Sequence, residues 1–115
     1  AGFGSVLTEC VAGNNNGDGL FIASGSATTC STQSNGADGI QSNRGVLAFI
    51  SSIGNASHGI LSGQATTFFG NTSRQNGGTG MQAGSSLYAN NASVDNTGAA
   101  ISHFGTGTLV ENHAP

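Results

Sequence analysis

Asn35-Gly36-Ala37-Asp38-Gly39-Ile40 decides the reading of this chain, because versions of it return about every twenty residues. Asn15-Asn16-Gly17-Asp18-Gly19-Leu20 precedes it; Asn55-Ala56-Ser57-His58-Gly59-Ile60, Asn76-Gly77-Gly78-Thr79-Gly80-Met81 and Asn96-Thr97-Gly98-Ala99-Ala100-Ile101 follow. The common form is Asn, three residues, Gly and a large aliphatic. Gly19, Gly39, Gly59, Gly80 and Ala100 mark steps of 20, 20, 21 and 20, with the one extra residue between Gly59 and Asn71. A unit this short, with an aliphatic, an Asn and a Gly at fixed phase, cannot bury its apolar face alone. It must stack on its neighbours as a solenoid.

Helical repeats are excluded by chemistry. Gly, Asn, Ser and Thr are poor helix formers, twenty residues do not hold two helices and their turns, and runs such as Ala65-Thr66-Thr67 favour strands. The unit is therefore read as short strands joined by turns, with equivalent residues one rung of about 4.8 Å apart. Columns follow from the phase. Leu20, Ile40, Ile60, Met81 and Ile101 form one interior stack, and Leu7, Ala27, Leu47, Phe68 and Tyr88 a second. Asn15, Asn35, Asn55, Asn76 and Asn96 form an asparagine ladder at a turn. Gly19, Gly39, Gly59 and Gly80 are expected to supply positive φ where the chain bends back into strand. Five residues before each Asn runs a column of Cys10, Cys30, Ile50, Asn71 and Asn91, with Glu111 in that phase of the last coil, where it is read as marking the end of the regular interior.

The runs Cys10-x4-Asn15-x3-Gly19-Leu20, Cys30-x4-Asn35-x3-Gly39-Ile40 and Asn91-x4-Asn96-x3-Ala100-Ile101 resemble the repeats of the pectin-lyase-like superfamily. The resemblance covers roughly Val6 to Glu111. It implies an all-β fold, a right-handed parallel β-helix of about 5–6 coils with 20–21 residues each, read as a single segment over residues 1–115. That superfamily holds pectate lyases, polygalacturonases, epimerases, phage tailspikes and adhesin-like surface proteins, so the fold alone does not choose a function.

Composition narrows the partners. The chain of 115 residues carries a net charge of −3, 6% charged residues, 20 Gly and only two cations, Arg44 and Arg74. No basic face exists to grip a phosphate backbone or an anionic membrane, and the longest apolar run, Gly45 to Ile50, is too short to cross a bilayer. Nucleic acid and membrane are not expected partners, and no cofactor is expected. The chain opens at Ala1 without a charged n-region and apolar h-region, so no signal peptide is read in it. Neither end shows an amphipathic capping helix, so the segment is expected to continue into more β-helix or to dock in an assembly.

Candidate chemistry lies in few places. Asp18, Asp38 and His58 share the column before the glycines, and carboxylates one rung apart approach the ~5 Å separation of a retaining glycosidase. Polygalacturonase-like enzymes draw acids and a histidine from neighbouring coils. Asp before Gly is also ordinary turn chemistry, and the column decays to Thr79 and Ala99, so a structural role is favoured over a catalytic one. The calcium site and arginine base of a pectate lyase are not assembled: there are five acids, and Arg44 and Arg74 fall at different phases. His103 and His113 are read as solvated or packed side chains. Cys10 and Cys30, one coil apart, stack as reduced thiols or pair in a disulfide, the reduced stack being preferred. The sequons at Asn55, Asn71 and Asn91 arise easily in a chain this rich in Asn, Ser and Thr and are given no weight. Phe49 is expected to point in or to occupy a corner, Phe68 and Phe69 cannot both be buried, and Phe104 fits no column.

The expected function is a structural β-helix module of an extracellular or virion spike or fibre-type protein, self-associating, with a homotrimer as one form, or continuing into a flanking β-helix, and able to present a carbohydrate-binding flank to a polysaccharide. The alternative is a polysaccharide hydrolase, lyase or epimerase. Short turns and the missing acid and base set weigh against an enzyme.

Overall fold

The computed structural model describes residues 1–64, 66–110 and 112–113 and is an all-β solenoid of about five turns built from three parallel sheets. The first coil is β1 (Phe3–Thr8), β2 (Val11–Gly13) and β3 (Leu20–Ile22); the second is β4 (Ser24–Thr28), β5 (Ser31–Gln33) and β6 (Ile40–Ser42). The third coil comprises β7 (Gly45–Ala48), β8 (Ser51–Ile53) and β9 (Ile60–Ser62), and the fourth β10 (Thr66–Phe69), β11 (Thr72–Arg74) and β12 (Met81–Ala83). The fifth has β13 (Leu87–Ala89), β14 (Ala92–Val94) and β15 (Ile101–His103), and β16 (Thr108–Val110) opens a sixth. Sheet A stacks β1, β4, β7, β10, β13 and β16; sheet B β2, β5, β8, β11 and β14; sheet C β3, β6, β9, β12 and β15.

Register follows the sequence phase. Leu20, Ile40, Ile60, Met81 and Ile101 pair in order along sheet C. Leu7, Ala27, Leu47, Phe68 and Tyr88 do so along sheet A, with Leu109 added at the end. The central members of both stacks are fully buried, and burial of one such side chain contributes roughly 1.5–3 kcal/mol. The rings of Phe68 and Tyr88 lie parallel at 4.7 Å. Phe69, its neighbour on the strand, points out, as alternation requires. Phe49 sits at the corner after β7, exposed, with its ring edge-on to Phe69 at 5.5 Å, and Phe104 is exposed.

The corners differ from the expectation. None of Gly19, Gly39, Gly59 and Gly80 has positive φ. The left-handed residues at the corners are those just before the two inward columns: Glu9, Thr29, Phe49, Gly70 and Asn90 between sheets A and B, and Asn14, Ser34, Gly54, Gln75 and Asp95 between sheets B and C, all with φ between 52° and 64°. The column glycines are required instead for space. A Cβ on Gly59 would lie 2.6 Å from both Asn76 Nδ2 and Gly80 O, and one on Gly80 2.6 Å from Ala100 O. They let the polar interior close against the next rung.

That interior is held by two ladders. In the expected one, each Asn Nδ2 donates to the Oδ1 of the next: Asn15 to Asn35 at 2.9 Å, Asn35 to Asn55 at 2.8 Å, and Asn55 to Asn76 and Asn76 to Asn96 at 2.9 Å. The same Oδ1 atoms accept the backbone N–H of the preceding Asn. The second ladder occupies the cysteine column, where Ile50 N, Asn71 and Asn91 donate in turn to Asn71, Asn91 and Asn112. Glu111 lies outside the described residues, and it is Asn112 that continues the column, 21 residues after Asn91. Across each coil, Ser52, Ser73 and Ser93 Oγ donate to the carbonyls of Gly59, Gly80 and Ala100 and accept from the ladder amides. Among the described residues no buried side-chain N or O lacks a partner. Buried amides so paired strengthen the stack, whereas each orphan would cost about 1–3 kcal/mol.

Candidate functional site

The column of Asp18, Asp38 and His58 lies at the turn between the asparagine ladder and sheet C. Asp18 Oδ1 accepts the backbone N–H of Asp38 at 3.1 Å, and Asp38 Oδ1 accepts that of His58 at 2.9 Å. Each acid therefore caps the next rung. Asp38 also contacts the imidazole: its Oδ1 lies 2.9 Å from His58 Nδ1, which is 3.0 Å from Ser57 Oγ. Serine and aspartate thus converge on one ring nitrogen. In a Ser-His-Asp relay they face opposite nitrogens, so these three do not form one. No cluster of three or more His, Cys, Asp or Glu side chains suited to a metal ion exists among the described residues.

The remaining candidates separate. His103 Nδ1–H donates to Gly105 O at 2.9 Å, closing its own turn, and His113 contributes a backbone bridge to Ala92. Arg74 stands on the outer face of sheet B. The sequon residues Asn55, Asn71 and Asn91 are at most 1% exposed and point into the ladders, so their amides are closed to modification in the folded chain. Cys10 is a half-buried free thiol and Cys30 a buried one; burial pushes the Cys30 thiol up.

A groove not visible in the sequence runs along the corner where sheet C returns to sheet A, with a volume of about 650 Å³. Its floor is one outward column of sheet A: Val46, Thr67, Leu87 and Thr108, in register across successive rungs. Gly25 and Gly45 leave the upper floor bare. Their φ values of 148° and 134° and the close approach of the preceding rung's backbone exclude any larger residue. Ser24, Ser85 and Thr106 bring hydroxyls to it. Arg44 is its single cation, steadied by Gln64 Oε1 at 3.1 Å from its Nη2. Residues spaced 20 or 21 apart build this surface, and because they share position without sharing chemistry no motif announces it. The acids are elsewhere: the described groove lining contains no carboxylate.

An elongated, hydroxyl-lined trough with aliphatic patches and one guanidinium is suited to an extended polar chain. The guanidinium can fork two hydrogen bonds to a carboxylate or vicinal oxygens, and the aliphatic patches offer apolar contact beside it. Compared with protein-family models, curated proteins and solved structures, the chain gives no match.

Proposed function

We propose that this chain is a rigid module of an extracellular or virion-borne spike or fibre-type protein, akin to the pectin-lyase-like β-helices, with a saccharide-binding flank. The observation that carries the reading is the groove on the sheet A corner, which offers hydroxyls, aliphatic floor and Arg44 but no acid. Binding without an acid and base set is the chemistry of a receptor surface. Fully satisfied ladders make a stiff scaffold for it. Exposed Phe49, Phe69 and Val110, beside the groove on the sheet A side, support lateral self-association, a homotrimer being one form, or packing beside a flanking β-helix.

Two measurements test this. Titration with acidic and neutral oligosaccharides is expected to give binding that Arg44→Ala weakens at least tenfold while leaving the melting temperature unchanged; equal binding by the variant would remove the groove from the reading. Light scattering is expected to show a trimer, and a stable monomer would sink the spike-module part.

The contact between Asp38 and His58 favours a second reading, a polysaccharide-cleaving or -modifying enzyme acting at the turn between sheets B and C. It expects new reducing ends or unsaturated uronates from an acidic polysaccharide, lost in Asp38→Asn.

A further inference from the structure

We propose that Cys10 and Cys30 are a redox staple: thiol–disulfide exchange with a small-molecule disulfide of the glutathione type links the first coil covalently to the second. The two cysteines occupy one inward column on adjacent rungs. The flanking bonds Glu9 N to Thr28 O at 3.2 Å and Ser31 N to Cys10 O at 2.8 Å clamp the two strands on either side of the pair. Their Cα atoms are thereby held near the rung spacing of about 4.8 Å, inside the range a disulfide spans. Each thiol donates to the carbonyl two residues before it, Cys10 to Thr8 O at 3.5 Å and Cys30 to Thr28 O at 3.2 Å, and Cys30 Sγ also lies 3.8 Å from Leu7 O on the rung of Cys10. On the next rung the column changes to Ile50, and these are the chain's two cysteines, so each has one possible intrachain partner.

Access orders the steps. Cys10, half-buried on the first rung, meets the oxidant first: its thiolate attacks one sulfur of the small disulfide, forms a mixed disulfide and expels one glutathione thiolate. Cys30, 1% exposed and with its thiol pushed up by burial, acts second. Its thiolate attacks Cys10 Sγ, the intrachain bond forms and the second glutathione leaves. The protein loses two electrons and two protons, and the oxidant becomes two thiols. The staple closes a loop of about twenty residues that spans the first coil and its joint to the second.

The test equilibrates the full chain in oxidised and reduced glutathione, then denatures, alkylates and weighs it. The expected result after oxidation is a monomer lighter by two hydrogens, a Cys10–Cys30 peptide cross-link, and a melting temperature about 5–10 °C above that of the reduced chain. Cys30→Ser is expected to stop at a stable glutathione adduct on Cys10 and to show no such rise. Two alkylatable thiols or a stable adduct on oxidised wild type, a link between chains instead of within one, or an unchanged melting temperature would each overturn the proposal.

Discussion

At the scale of single residues, the ladder asparagines do more than their sequence pattern announces. Asn55 Oδ1 accepts both the N–H and the amide of Asn35 at 3.1 and 2.8 Å, while its Nδ2 donates to Asn76 Oδ1 at 2.9 Å and Ser52 Oγ at 3.0 Å. Asn55→Ala orphans donors and acceptors on both neighbouring rungs, and a loss of roughly 3 kcal/mol is expected in urea unfolding. Asn15→Ala, on the exposed first rung, should cost under about 1 kcal/mol; equal effects would show that the ladder is not the source. Tyr88 carries a second residue-scale expectation. Burial pushes its phenol up to about 12, while its O–H donates to Ser102 O at 2.9 Å. The folded chain then keeps a proton that the unfolded chain gives up near pH 10, so this contribution is intact below pH 10 and is lost as pH rises toward 12. Cys30, raised above its ordinary 9.0, acts in the same direction. Thermal melts should therefore fall above about pH 9–10, and Tyr88→Phe should remove part of that slope; an unchanged slope would exclude the phenol.

The turns and strands, one scale up, separate two jobs that glycine performs. Gly59→Ala would drive a Cβ to 2.6 Å from Asn76 Nδ2 and Gly80 O, and a loss of about 1–3 kcal/mol is expected. Gly54 has φ +64° and open space around its Cβ position, in a column that already accepts Asn14, Ser34, Gln75 and Asp95. Gly54→Asn should stay within about 0.5 kcal/mol of wild type by chemical denaturation, because Asn tolerates the left-handed region. The strands, both interior stacks and the first ladder were legible because apolar residues, or Asn, recur at one phase. The glycine role was not, since close approach and positive φ leave the same trace in sequence. The left-handed column is chemically mixed and carries no pattern. The second ladder was masked by Cys10, Cys30 and Ile50, and by the extra residue that moves its last member from position 111 to Asn112.

The molecule as a whole behaves as a one-dimensional stack, since every strand pairs only with its counterparts one coil before and after. Deleting residues 31–50, one full period, joins Cys30 to Ser51 in the phase that Ser31 occupied. This shortened chain should fold cooperatively with unchanged β circular dichroism per residue, whereas deleting residues 31–40 should abolish the cooperative melt. At this scale the groove escaped the sequence because Val46, Thr67, Leu87 and Thr108 have position in common and nothing else. The same corner also absorbs the irregularities in coil length. Ser42 pairs with Ser62 at a step of 20 but Gly45 with Thr66 at 21; Ala83 pairs with His103 at 20 but Leu87 with Thr108 at 21. Both extra residues therefore enter between sheets C and A, while the two ladder corners keep a fixed count over the same steps. Length and register are uncoupled at one edge of the rod and locked at the other two. The rim of the groove can accordingly be rewritten, lengthened or exchanged loop by loop while the scaffold beneath keeps its phase, which is the division of labour that lets a single fold acquire new specificities.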